Sequence, residues 1–262
     1  MKKALIVGGA NGIGLAIATQ LAKCDDYEKI YILDKAVVAD EFLHSKFVSI
    51  MFDLTSEDYT IFDSFKDVDT LVITAGFGKL NLFKDVPEQY ISNSFVVNSI
   101  APIRIIHHFM DKLLNDKDFY CGIMVSIAGF MSSPFFAVYG ATKAFVLSYS
   151  RALNQELKSR KISVSCICPF WTKTKFFDRA KVTDHEVVSK YIVMYEASKV
   201  VEYSLKKAMK RKEVIIPGFI ARSQVRLVRM LPASATMKMW LNQQKLDKKY
   251  KDKPVKNIKD SE

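Results

Sequence analysis

The sequence predicts an α/β fold, a doubly wound, mostly parallel sheet with helices on both faces, spanning residues 1–218, with a basic extension over 219–262. Three observations predict it. Short apolar runs alternate along the chain with longer stretches of helical period, the pattern of strand–helix–strand units. A glycine-rich turn stands between the first run and the first helical stretch. A length of 262 residues, 49% of them hydrophobic, suits one such domain with an extension.

Ala4–Val7 reads as the first strand. Gly8-Gly9-Ala10-Asn11-Gly12-Ile13-Gly14 follows, and then a helix through Leu21. Glycines at 8, 12 and 14 permit a tight turn, close backbone approach to a pyrophosphate, and a helix N-terminus aimed at it. The second strand, Ile30–Leu33, ends at Asp34, twenty residues beyond Gly14. A carboxylate there can accept hydrogen bonds from adenosine ribose hydroxyls and would repel a 2′-phosphate. NAD(H) is therefore favoured, while the adjacent Lys35 keeps NADP(H) open.

Phe47–Phe52 reads as the third strand, followed by Asp53-Leu54. Thr70–Thr74 is the fourth and runs into Ala75-Gly76, a small pair that admits close approach. Pro87–Leu114 reads as one long helix. Asn98 lies within it, and a polar amide among apolar residues is costly unless paired. His107 and His108 are adjacent, point to different helix faces and make poor co-ligands, so no metal site is expected. Gly122–Val125 is a buried strand that ends at Ser126. The next helix, Val138–Arg160, carries Tyr139 and Lys143, four apart and hence on one face. An ammonium beside a phenol favours the phenolate, so the pair is expected to bring the phenol pKa down towards neutral pH. Taken alone, such a pair reads as an ordinary exposed helix pair, since i,i+4 pairs are common.

Ile162–Ile167 reads as the sixth strand, leading to Pro169-Phe170-Trp171-Thr172-Lys173-Thr174. Phe176, Phe177 and the segment to about Tyr195 follow, and with Phe130, Phe135, Phe136 and Trp171 they offer an aromatic pocket wall. A helix is expected from about Glu186 to Lys210, and a last strand over Val214–Ile216, ended by Pro217-Gly218.

Ser126, thirteen residues before Tyr139-x-x-x-Lys143, in a chain that opens on a Gly8-x-x-x-Gly12-x-Gly14 turn, resembles the short-chain dehydrogenase/reductase family over about residues 2 to 218. The resemblance implies a seven-stranded Rossmann-type sheet and an NAD(P)(H)-dependent oxidoreductase that moves a hydride between nicotinamide and a secondary alcohol or ketone. It implies that Tyr139 protonates the substrate oxygen and Ser126 orients it. Lys143 then lowers the phenol pKa and bonds the nicotinamide ribose, and Asn98 bends its helix and holds a water leading to the lysine. Asn11 and Ile13 lie in the phosphate turn, Asp53 and Leu54 would contact adenine, and Ala75 and Gly76 would pass close to the cofactor. Pro169, Thr172 and Thr174 would sit at the nicotinamide, Thr174 bonding its carboxamide. Two positions depart from the family pattern. Ile73-Thr74 stands where two asparagines usually brace the turn, and Phe170 replaces the glycine after Pro169. The ending Ile215-Ile216-Pro217-Gly218, with the basic stretch after it, is more similar to members that handle lipids or steroids. A homodimer or homotetramer is the implied assembly. The alternative is a catalytically weak NAD-binding sensor or membrane-associated scaffold of the same fold.

The net charge of +11 is confined to the end of the chain. Residues 206–262 hold 16 Lys and Arg against 5 Asp and Glu, and the rest is balanced. In Phe219–Leu231, Arg222, Arg226 and Arg229 form one helical stripe, with Ile220, Leu227 and Leu231 roughly opposite. Met237, Met239, Trp240 and Leu241 follow, a tryptophan suited to a water–lipid boundary among them. Lys245–Lys259 has almost nothing to bury and is expected to be disordered. These features suit peripheral contact with an anionic membrane; the other outcome is that the apolar face packs on the protein's own core or on a second subunit. Nucleic acid finds no support outside the tail and is not expected as a partner. No apolar run approaches a membrane span, Met1-Lys2-Lys3 leads directly into the first strand, and the four cysteines form no C-x-x-C pair. A cytoplasmic protein with reduced thiols is expected, in peripheral contact with the membrane if the tail binds lipid.

Overall fold

A computed structural model describes residues 1–157, 163–176, 180 and 193–244. Seven strands form one parallel sheet in the order β3-β2-β1-β4-β5-β6-β9. They are β1 (Lys2–Val7), β2 (Tyr27–Asp34), β3 (Phe47–Met51), β4 (Thr70–Ile73), β5 (Tyr120–Met124), β6 (Val164–Ile167) and β9 (Val214–Ile215). The order reverses between β1 and β4, which leaves a crevice at the strands' carboxyl ends, where such folds bind ligands. A separate short pair joins β7 (Thr172–Lys173) to β8 (Tyr195–Glu196).

The central strands are apolar throughout because helices cover both faces. On one face α3 (Ala101–His108), α4 (Met110–Asn115) and α5 (Ala137–Leu157) close over Leu5, Leu71, Ile105, Phe109 and Ile123. On the other, α1 (Gly12–Ala22) and α6 (Ala197–Ala208) cover Ile6, Ile17, Ile32 and Val201.

The long helix expected over Pro87–Leu114 is broken. Helix α2 (Glu88–Phe95) passes into a π-helical turn, Val96–Ile100, before α3 begins. Pro102 lies just beyond that turn and has no N–H to give the ladder, so the widened turn falls where a regular helix would lose a bond. Asn98 occupies the turn. The helix expected from Glu186 is also corrected at its start. Tyr195 donates its N–H to the Trp171 carbonyl (2.8 Å) and is strand, so helix begins only at Ala197. The remaining part of that expectation, with Phe177 and the ends of the neighbouring helix and strand at 158–162, lies outside the described residues.

The segment beyond Gly218 forms α7 (Phe219–Met230) and α8 (Ala233–Gln244). The face that packs inward on α7 is Ala221 and Val225; Ile220 and Leu227 stay about two-fifths exposed. Trp240 is buried, not placed for a lipid boundary. It joins a third cluster with Ile127, Phe136, Tyr139, Phe170 and Trp171. Lys245–Lys259 lies outside the described residues. Among the described residues no helix is long and apolar enough to cross a membrane.

Candidate active site

The turn after β1 is built by close approach. A side-chain carbon on Gly8 (φ 81°) would come within 2.4 Å of the Ala75 nitrogen, and one on Gly14 within 2.3 Å of the Gly8 carbonyl. Helix α1 then starts with no side chain capping it and no acidic residue in its first turn. Its first N–H groups and its dipole are left facing the crevice, which suits a phosphate group. The turn lacks the two asparagines of the family pattern, and Thr74 replaces their bracing. Its hydroxyl lies 3.0 Å from the Val7 carbonyl and 2.8 Å from that of Gly8, tying β4 to the phosphate turn.

Asp34 ends β2 at the same crevice. Its two oxygens accept the Ala10 and Ala36 N–H groups at 3.0 and 3.2 Å, which holds the carboxylate beside the turn. Asp53 accepts the N–H and hydroxyl of Thr55, both at 2.8 Å, and these bonds hold its carboxyl below the usual range. A cavity of about 690 Å³ runs along the crevice. It is lined by Gly8, Asn11, Gly12, Ile13, Gly14, Asp34, Asp53, Leu54, Ala75 and Gly76 at one end, and by Ser126, Tyr139, Lys143, Pro169, Thr172 and Thr174 at the other. Lys35 lines it beside Asp34. The residues selected from sequence thus converge, with Asn98 just behind the wall.

Asn98 is fully engaged with neighbouring chain. It accepts the Phe77 N–H at Oδ1 (3.0 Å) and donates from Nδ2 to the Phe77 carbonyl (2.8 Å) and the Thr142 hydroxyl (3.1 Å). It therefore links the bent helix, the loop after β4 and helix α5. A carbon added to Gly76 would lie 3.1 Å from both Asn98 Oδ1 and Lys143 Nζ, so that glycine is what lets the loop pass between them.

Ser126 follows β5, and its oxygen accepts the Ala128 N–H at 3.1 Å, opening a single 3₁₀ turn, Ile127–Phe130. Tyr139 is held on both sides by rings: Phe136 stacks on it at 4.4 Å and Phe176 lies tilted at 5.5 Å. Burial pushes its phenol up to about 12, with the Ser126 hydroxyl pulling the other way. Burial likewise pushes the Lys143 amine down to about 8. The expectation that Lys143 brings the phenol towards neutrality is thus reversed here. The cause is the anchoring of the lysine: Nζ donates to the Met124 carbonyl (3.1 Å) and stands 5.6 Å from the phenol ring centroid, where it does not offset desolvation. At neutral pH the phenol keeps its proton and is an acid in waiting.

Among the cavity residues that had no signal in the motifs, three come from the end of the chain. Trp240 donates its ring N–H to the Pro134 carbonyl (2.9 Å) and stacks on Trp171 at 6.0 Å, roofing the end near Tyr139. Gln224 and Gln243 line the same cavity from α7 and α8. The i,i+4 pair Ala221 and Val225 is the sequence feature that would have turned α7 the right way.

A family model described as short chain dehydrogenase matches residues 2–185. The chain belongs to the short-chain dehydrogenase/reductase family. Uncharacterized oxidoreductase YvaG of Bacillus subtilis is 27% identical over 185 residues, covering 66% of this chain and 69% of its own. The very-long-chain 3-oxoacyl-CoA reductase of Bos taurus is 28% identical over 190 residues, 66% of this chain and 60% of that protein's length. Among solved structures, a short-chain dehydrogenase from Sphingobium yanoikuyae in complex with NADPH superposes with a TM-score of 0.73 at 21% identity, covering 98% of this chain and 99% of the other. A short-chain dehydrogenase/reductase from Burkholderia phymatum in complex with NAD does so with a TM-score of 0.70 at 18% identity, over 86% and 92% of the two chains. This short-chain dehydrogenase/reductase has the family's seven-stranded sheet. It is of the class of oxidoreductases that act on alcohols and ketones with NAD(P).

Proposed function

We propose that this enzyme interconverts a secondary alcohol and a ketone on an apolar, lipid- or steroid-like substrate, with NAD(H) preferred over NADP(H). The observation that carries the reading is Tyr139: a protonated phenol clasped by Phe136 and Phe176, in the cavity that Ser126 and the phosphate turn also line. Bound nicotinamide supplies or takes the hydride. The glycine turn and the start of α1 would hold the pyrophosphate of the dinucleotide, and Asp34 would accept hydrogen bonds from its adenosine ribose hydroxyls. Ser126 and Tyr139 grip the substrate oxygen. In reduction Tyr139 gives its proton to that oxygen and regains one from water, while the Lys143 ammonium, held nearby on the Met124 carbonyl, favours the phenolate that forms in between.

Aromatic and sulfur side chains favour an apolar substrate, since Met131, Phe136, Phe170, Trp171, Phe176 and Trp240 line the end near Tyr139. Self-association is supported by Phe95, Ile100 and Phe145, which are exposed on neighbouring helical turns. Peripheral contact with an anionic membrane is supported by exposed Phe219, Leu227, Met230 and Met239, with Arg226 on the same helix pair. Flotation with anionic vesicles at low salt and release at high salt supports it; no flotation at low salt ends it.

The test of the reaction is a screen of NADH oxidation and NAD reduction against ketones and alcohols graded by ring size. Turnover that rises with apolar bulk is expected. Absence of turnover across the series, with NADH still bound, leaves the sensor reading in place instead.

A further inference from the structure

We infer that Lys175 gives the diphosphate of the dinucleotide a second hold, an ammonium supplied by the chain that follows β7. The inference rests on the cofactor reading above and adds to it a residue from outside the glycine turn. Thr174, Lys175 and Phe176 form one tight turn, in which Thr174 Oγ1 accepts the Phe176 N–H at 3.3 Å. The first residue of this turn lies against the phosphate turn: a carbon added to Gly12 (φ 57°) would stand 3.5 Å from the Thr174 side chain. The third lies against the phenol, with the Phe176 and Tyr139 rings 5.5 Å apart. Lys175 is the residue between them, and it lines the same cavity.

A dinucleotide held at Gly12 must extend to Tyr139 for its nicotinamide to meet the substrate, so it passes the stretch of wall that Lys175 occupies. The diphosphate is the charged part of the molecule on that path. The other charged side chains of the cavity are placed or engaged elsewhere. Asp34, Lys35 and Asp53 lie at the adenosine end. Lys143 is buried and bonded to the Met124 carbonyl. Lys173, two residues before Lys175, is paired with Glu196. Lys175 itself is exposed and has no carboxylate partner among the described residues.

The start of α1 offers backbone N–H groups and only a fraction of a positive charge, against two negative charges on a diphosphate. A lysine supplies a whole charge, and it acts on phosphate as a point charge on a flexible stem, so it needs no fixed orientation. The diphosphate is common to NAD(H) and NADP(H). Lys175 therefore strengthens both cofactors alike and takes no part in the choice between them, which falls to Asp34 and Lys35. An acidic group on the substrate would draw the same ammonium. The diphosphate is favoured because Thr174 ties the lysine's turn to Gly12, while the wall near Tyr139 is mainly aromatic.

The full-length protein, without substrate, is titrated with NADH, NADPH and ADP-ribose at about 0.02 M and about 0.5 M salt, as the native chain, Lys175→Gln and Lys175→Arg. In Lys175→Gln at low salt, Kd is expected to rise about five-fold for all three, the scale of one exposed pair of charges. The loss shrinks at high salt, and Lys175→Arg restores most of the affinity. Tm of the ligand-free protein stays unchanged, because the lysine has no native partner to lose. An unchanged Kd overturns the inference, as does a loss that persists undiminished at high salt or that arginine does not restore. A clear fall in Tm overturns it by making Lys175 a structural residue. A loss confined to NADPH does so by placing the ammonium at the 2′-phosphate. A raised KM for a ketone carrying a carboxylate, with the Kd of ADP-ribose unchanged, assigns the lysine to the substrate instead. Failure of the native chain to bind either NADH or NADPH contradicts the cofactor reading and removes the inference with it; native binding that the substitution leaves intact contradicts the inference alone.

Discussion

Lys143 hangs from the carbonyl of Met124 by a 3.1 Å hydrogen bond while standing 5.6 Å from the ring centre of Tyr139, so the ammonium is anchored to the sheet and not to the phenol it follows in sequence. No carboxylate pairs with it among the described residues, and burial pushes its pKa down to about 8.

Lys143→Met is therefore expected to stabilise the protein at pH 7. The native lysine binds its proton less tightly folded than unfolded. Between about pH 8 and its ordinary value of 10.5 the unfolded chain holds more protons at this site, and the lysine's contribution to stability rises with pH. The advantage of the variant is at most about 3 kcal/mol at pH 7, and it should close as pH climbs through that window. Urea unfolding of the two proteins across pH 7 to 10 measures it. A gap that is absent at pH 7, or that widens with pH, would show that the amine is not desolvated.

Trp240 is the roof of the cavity, and two substitutions separate its parts. Trp240→Phe keeps the stack on Trp171 and loses only the N–H bond to Pro134, at a cost of about 1 kcal/mol in stability. Trp240→Ala removes the ring and should raise KM for ring ketones about ten-fold or more, with a smaller loss for an acetone-sized ketone. An unchanged KM for ring ketones would remove Trp240 from the substrate site.

Asp34→Ser tests the choice of cofactor. The carboxylate held by Ala10 and Ala36 should make NADH bind more tightly than NADPH, and serine should narrow the gap by removing charge repulsion. Equal affinities of the unaltered protein for the two cofactors would count against the preference, and would point to Lys35 as the residue that offsets the aspartate.

The parts of this site legible in the sequence are those whose determinants are local. Gly8, Gly12 and Gly14 sit in one turn, and Tyr139 and Lys143 share one helix face, so spacing alone brought them together. Ser126 followed from its place at the end of a buried strand. Thr74 was harder to read, because its two acceptors are 67 and 66 residues upstream and a threonine in place of asparagine looked like a loss. Trp240 and Gln224 were illegible for the same reason at larger scale. The acceptor of Trp240 is 106 residues away, and which face of an amphipathic helix turns inward depends on the surface that receives it. The sign of the Tyr139 shift depends on a competition between desolvation and a lysine whose anchor, Met124, lies nineteen residues before it.

Tyr139→Phe tests the central claim most directly, since it removes one oxygen from a ring that Phe136 and Phe176 already hold in place. With a ketone that the native protein reduces, NADH binding should be retained and turnover should fall by about 10²-fold or more, the scale of losing a general acid. Turnover near that of the native protein would contradict the assignment of Tyr139 as the proton donor.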